Sequence, residues 1–302
     1  MHPVLFTALQ RHHGLASRRE LLRAGVERAH VDSAWRAGAL LRVRHGIYAL
    51  PSVPIPILRA HRVGGRLAGA SAAAFHGLWV VPDAPDLTVS VCANARWLRD
   101  PDDSAKPLEP EDRTVLVLRD GAKLHPRQER LVVSPVTCVV QTLRNERAAF
   151  ALAVLDSALR QTDSRHASTS IVDEVLARTS ARHHALVHAA DARAESGTES
   201  VLRWHLLQSD FPFLVQEWLT DHIRVDFLID RFLVVECVSA EHHSSPQDYA
   251  NDRSRITTLV ALGYVVLEFT YWQVLFGWPK VEAAIRSALL RRPPAARGAN
   301  RE

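Results

Sequence analysis

The sequence predicts an α+β / α/β chain in three parts: an N-terminal winged helix-turn-helix, a mixed middle domain, and a C-terminal α-β-β-β-α-β domain. Three observations carry this prediction. Short helical stretches punctuated by glycines fill the first fifty residues and run into an alternating ribbon, LLRVRHGIYAL. Apolar strand candidates then alternate with helical stripes through the middle. From Glu195 a capped helix leads into three closely spaced apolar strands.

Size and composition fit a globular chain. The 302 residues are about two domains' worth, and 47% hydrophobic with 23% charged residues excludes a wholly disordered chain. No apolar run approaches the ~18 residues a membrane span needs. The N-terminus, MHPVLFTALQRHH, lacks the basic start, long apolar run and small-residue cleavage site of a secretory signal. Cys92, Cys138 and Cys237 are scattered with no CxxC, which speaks against a disulfide framework or a zinc-thiolate site. A cytoplasmic location with no membrane partner is expected.

Taken in order, Val4 to Gln10 forms the first helix, stopped near Gly14. Ser17-x-x-Glu20 is a capping box that starts the second, and Gly25 breaks it. The third runs from Glu27 to Trp35 with Gly38 past its end. The ribbon follows, with Arg42, Arg44 and a turn at His45-Gly46 facing out. This is the order of a winged helix that lays its third helix in a DNA groove, or else of a small helical cap on the next domain. Pro51, Pro54 and Pro56 mark a stiff boundary. Between 54 and 165, SAAAFHGL reads as a helix ending at Gly77, Asp86–Cys92 and Arg113–Leu118 as strands, and Ala148–Leu159 as a helix, with an exposed loop over 100–112. His76 reads as structural. In the 195–290 domain, Thr198 caps a helix to Gln208. Strands Phe213–Leu219, Ile223–Ile229 and Phe232–Val238 follow, then a helix Gln247–Leu262, a strand Tyr264–Phe269 and a helix Lys280–Leu290. The tail, 291–302, reads as disordered.

Charge is unevenly placed. Residues 1–50 hold eight arginines against three acids, a surplus of +5, whereas 195–290 carries thirteen acids against seven bases, a balance of −6. A double-stranded DNA partner therefore points to the N-terminal module. The candidate contacts are Arg18, Arg19, Arg28 and Arg36 on the helices and Arg42 and Arg44 on the wing. The arginine bias, with Lys106, Lys123 and Lys280 the only lysines, is also what a GC-rich genome produces.

The segment VDFLIDRFLVVECVS holds the one arrangement that suggests catalysis. Asp226 and Glu236 lie ten residues apart on neighbouring apolar strands, a costly place for two carboxylates unless they are paired or bind a cation. Oxygen ligands would take Mg²⁺ or Mn²⁺, which activates water for phosphodiester cleavage. A two-residue turn at Asp230-Arg231 sends the acids to opposite faces; a three-residue turn, Asp230 to Phe232, sets them side by side. Two solvated acids at a sheet edge would also account for the pattern. The three-residue turn is expected, because the other register wastes one acid. Asp252, Arg253 and Arg255 read as surface salt-bridge partners; Tyr271, Trp272, Phe276 and Trp278 as core; Cys237 as an inert buried thiol.

Through RVDFLIDRFLVVE and EHH followed by NDRSRITTLVALGYVVLEFT, residues 195–290 resemble the DUF559 family, which is similar to very-short-patch-repair (Vsr-like) endonucleases of the PD-(D/E)XK superfamily. Residues 1–50 resemble the winged helix of AbiEi antitoxins. SAAAFHGL, SPVTCVV and LDSALR resemble the segment joining the two in actinobacterial proteins. The resemblance implies a restriction-endonuclease-like fold, with Glu199, Asp226 and Glu236 as metal ligands and Asp226, Glu236 and His242 as catalytic residues; His243 is the other candidate for the histidine. The chain departs from the pattern where the family writes Glu-Val-Asp-Gly. Here Val238 and Ser239 follow Glu236-Cys237, and valine can neither ligate metal nor orient water. Gln141 stands where relatives often have Asp. Three functions follow: a DNA-binding regulator with a weak or silent nuclease-like domain, a metal-dependent endonuclease, or an antitoxin holding a toxin or other protein partner.

Overall fold

The computed structural model describes residues 1–121, 129–163, 170–238 and 246–291. It is a mixed α and β structure with small sheets, dividing into two compact units, Met1–Arg144 and Asn145–Glu302.

In the first unit, helix α1 (Pro3–Arg11) leads into a short strand β1 (Leu15–Ser17), then α2 (Arg18–Arg23) and α3 (Arg28–Arg36). The capping box forms as the sequence predicts. Ser17 accepts from the Glu20 amide, and the Glu20 carboxylate takes the Ser17 N–H at 2.8 Å. The ribbon is β2 (Leu41–Arg44) and β3 (Ile47–Ala49), turning through Gly46 at φ 71°. Strand β1 adds antiparallel to β3, giving the order β1-β3-β2. Three residues are too few for an alternating pattern to register, so this strand left no trace in the sequence.

The prolines do not mark a linker. Helix α4 (Ile55–Val63) starts among them, with Pro56 in its first turn where a missing N–H costs nothing. It packs into a core that runs without a break from Leu5, Leu9 and Val31 through Ile57 and Val63 to Leu87, Val89 and Val91. Residues 1–50 thus share one interior with the sheet formed by β4 (Arg66–Leu67), β5 (Leu87–Cys92) and β6 (Val115–Asp120). That differs from the expected separate module, and the physical reason is the shared apolar surface. Helices α5 (Gly69–Phe75) and α6 (Pro135–Asn145) complete the unit. His76 is structural as expected, its Nε2 2.7 Å from the Val133 carbonyl. Gln141 is buried and holds Asp120 and the Gly69 amide, at 2.7 and 2.9 Å.

The second unit starts earlier than the sequence suggested. Helix α7 (Ala148–Asp163) belongs to it, packed along α10 (Gly197–Gln208) through a buried Arg203–Asp156 ion pair of 2.6 Å, so the expected boundary near 165 falls at 144/145. Helices α8 (Ile171–Arg178) and α9 (His184–His188) lie between them in sequence. Ser196, not Thr198, caps α10. Strands β7 (Phe213–Trp218), β8 (Arg224–Ile229), β9 (Leu233–Val238) and β10 (Val265–Thr270) form one sheet, ordered β10-β9-β8-β7, with β10 parallel to β9 and the rest antiparallel. Helix α11 (Pro246–Ala261) precedes β10; α12 (Tyr271–Phe276) and α13 (Trp278–Leu290) follow it. The tail from 292 lies outside the described residues. Trp272 is 65% and Phe276 44% exposed, so this cluster is not the expected core: α12 presents both rings outward. Among the described residues no helix is long and apolar enough to cross a membrane.

Candidate functional site

Two sets of residues merit attention. The first lies on α3 and the ribbon. Val31 and Ala34 turn into the core, which points Arg28, Ser33, Trp35 and Arg36 outward; Arg19 on α2 and Arg42 on β2 are exposed as well. Arg42 lies over the Trp35 ring, 5.4 Å from its centroid, with its Nη2 3.0 Å from His45 Nδ1.

Two of the six expected DNA contacts are engaged elsewhere. Arg18 pairs with Asp32 and donates to the Tyr48 hydroxyl, tying α2 to α3 and β3. The Tyr48 and Asp32 hydrogen bonds raise the Arg18 pKa further. Asp32 is the one acid on α3, so this pair neutralises it and leaves the outer face cationic. Arg44, just after a register shift in β2, is half-buried, and its guanidinium packs over Gly64. Burial, then the nearby Arg99, lowers its pKa. Behind this face, Arg130 bonds both oxygens of Glu20, at 2.9 and 3.2 Å, and His12 at 3.0 Å, which anchors the start of α2.

The second set crosses the sheet of the second unit. The turn between β8 and β9 is the three-residue one: Ile229 faces Leu233 and Phe227 faces Val235, so one further step sets Asp226 opposite Glu236. The same count sets Gln216 opposite Asp226, and Glu236 faces Glu268 on β10. A polar rung therefore spans all four strands, and Glu199 reaches it from α10.

Each carboxylate in this rung already has partners. Glu199 accepts from the Glu195 amide at 2.8 Å, completing a helix cap, and from Gln216 Nε2 at 2.9 Å. The same Gln216 amide group reaches Asp226 Oδ1 at 3.2 Å, because Gln216 sits at φ 54° and turns its side chain onto both acids. Asp226 Oδ2 takes the Cys237 N–H at 2.9 Å. Glu236 is held at both oxygens by Arg255, at 2.6 and 2.5 Å. Arg255 is therefore not the expected surface partner; it reaches inward from α11, while Arg253 does make a surface pair, 3.5 Å from Glu268. Burial raises the pKa of all three acids; Asp226 raises Glu199 further, and Arg255 opposes the rise at Glu236. Burial pushes the Cys237 thiol well up, as expected of an inert thiol.

This donor set does not fit a divalent ion. Gln216 and the Cys237 amide already engage both oxygens of Asp226, and Gln216 engages Glu199. A fixed cation, Arg255, stands on both oxygens of Glu236, where a second positive charge would be repelled. Val238 adds no ligand. Among the described residues no three His, Cys, Asp or Glu side chains are grouped to hold a metal. His242 and His243 lie outside the described residues. Sequence reasoning missed Gln216, Arg255, Trp35 and His45. Only Arg255 gave a signal, as a cation one helix after a buried acid.

Residues 3–51 match the family described as "Transcriptional regulator, AbiEi antitoxin". The N-terminal domain is thus AbiEi-like, and its matched span ends just past the ribbon. Two uncharacterised Mycobacterium tuberculosis proteins, MT2308 of strain CDC 1551 / Oshkosh and Rv2248 of strain ATCC 25618 / H37Rv, are each 31% identical over 160 residues. That alignment covers 49% of this chain and 58% of each relative, so the chain spans little more than half the length of the curated relatives it matches.

Proposed function

We propose that the chain is a DNA-binding, AbiEi-antitoxin-like regulator. Its N-terminal elements act as a winged helix on duplex DNA, and its second unit has a nuclease-like fold that serves as scaffold or as the surface for a toxin or other protein partner. One coincidence carries this reading: the segment that matches the regulator family is also where Arg19, Arg28, Arg36 and Arg42 stand exposed with their one acidic neighbour on α3 neutralised. Every phosphate left unpaired by a substitution should lower the salt dependence of binding by about 0.9 in log–log slope. Arg19, Arg28, Arg36 and Arg42 replaced together by alanine in the full chain should lower it by about 3 to 4 and weaken binding at every salt concentration. Unchanged binding by that variant overturns the reading. The full chain is needed because removing residues 1–50 would strip a continuous core.

A second reading, a Mg²⁺- or Mn²⁺-dependent DNA endonuclease, rests on the register that sets Asp226 opposite Glu236. Arg255 on both oxygens of Glu236, and Val238, weigh against it. In a plasmid assay with Mn²⁺ the expected outcome is silence or very weak nicking. Robust cleavage that both Asp226→Ala and Glu236→Ala abolish would reverse the order of the two readings.

A further inference from the structure

We infer that Trp35, Arg42 and His45 form a preassembled clamp for one backbone phosphodiester of duplex DNA, an inference that rests on the DNA-binding reading and deepens it. Three features of the local geometry carry it.

The first is donor chemistry. A guanidinium has no lone pair to offer, so in the 3.0 Å contact His45 Nδ1 must accept from Arg42. The other N–H groups of the Arg42 guanidinium are left for an incoming acceptor. A phosphodiester, whose two free oxygens only accept, complements such a set; a base edge, which mixes donors and acceptors, fits it less well.

The second is preorganisation. A free arginine side chain has many rotamers to lose when it is fixed on a ligand. Here the guanidinium carbon lies over the Trp35 ring, 5.4 Å from its centroid, and Nη2 meets His45, yet Arg42, Trp35 and His45 all remain exposed. Among the described residues no carboxylate is hydrogen-bonded to it. An arginine both immobilised and accessible is set up for an external anion.

The third is placement. Trp35 sits in the last turn of α3 and Arg42 on β2, so the clamp spans helix and ribbon, beside Arg36. The acid of α3, Asp32, is removed from competition by Arg18. A phosphate bound here would fix where α3 rides along the duplex, positioning the protein without reading sequence.

The test is fluorescence anisotropy of a labelled mixed-sequence duplex of about 30 base pairs with the full-length protein, titrated from about 50 to 200 mM salt. Arg42→Ala should lower the log–log salt slope by about 0.9. Arg42→Lys keeps the charge but loses the planar fork, so it should keep the wild-type slope and bind about three- to tenfold more weakly. Trp35→Ala should do the same, because it frees the arginine without removing charge. Circular dichroism confirms that each variant is folded; should Trp35→Ala unfold, the two Arg42 variants decide alone. Full affinity in Arg42→Lys would reduce Arg42 to a point charge and overturn the clamp, as would a wild-type slope in Arg42→Ala. Failure of the wild-type protein to bind any duplex would instead overturn the DNA-binding reading itself.

Discussion

Glu236 and Arg255 show how a single residue can decide the character of a site. The sequence makes Glu236 an acid in an apolar strand in need of a counter-ion; its spacing from Asp226 allows two registers, and only the expectation that both acids share a face selects the three-residue turn that forms. What it does not give is the counter-ion, because Arg255 lies nineteen positions on and meets Glu236 only through packing of a helix over the sheet. Removing one partner of a largely buried pair strands the other, so Arg255→Met should cost about 2–4 kcal/mol in denaturant unfolding. Adding Glu236→Gln should recover much of that loss, and an additive double variant would show that the pair does not couple. His61 gives a second test at this scale. Burial, then the charges of Arg130, Arg66 and Arg44, lowers its pKa from 6.5 to about 4, and its Nε2 is buried without a partner among the described residues. A depressed histidine stabilises above its unfolded value and loses that contribution as pH falls. Stability should therefore drop between about pH 6.5 and 4, with a slope of up to about 1.4 kcal/mol per pH unit, and His61→Gln should flatten that slope.

Among the elements, those built from local signals were legible and those built from distant pairings were not. The Ser17 box, the stop at Gly25 and the end of α11 at Gly263 are set by residues within one turn of the chain, and each stands where the sequence put it. Strand β1 is defined by its pairing with β3, and Gln216, in the left-handed region, bonds Glu199 from another helix and Asp226 from the next strand. Prolines 51 to 56 misled because a helix start and a linker use the same residues. The narrow β4 is the element most open to test. A Cβ at Gly65 would run into the Ser90 carbonyl and crowd Val89 and Val91, so Gly65→Ala should pry β4 from β5. The expected loss is about 1–3 kcal/mol in thermal or urea unfolding, with a wild-type midpoint showing that the strand can shift at no cost.

At the scale of the whole molecule, pH acts on the two units through different groups. In the first, His61 makes acid destabilising. In the second, Glu199, Asp226 and Glu236 all have raised pKa values, so their protonated forms favour the fold and that contribution fades as pH rises through those values. His205 and Asp191 in the same unit are shifted down and act in the other sense. Replacing the three acids together by their amides should therefore remove the acid-favouring part of the pH response in calorimetry across about pH 4 to 8, and an unchanged profile would contradict this. The shared interior of the first unit has a consequence for its motions too. Because Leu5, Val31 and Val89 belong to one uninterrupted apolar body, lifting α3 away would uncover the core that also backs β5. Under native conditions the backbone amides of α3 and β5 should exchange with deuterium through a common opening, with one shared free energy, so the cationic face of α3 loosens only when the sheet behind it does.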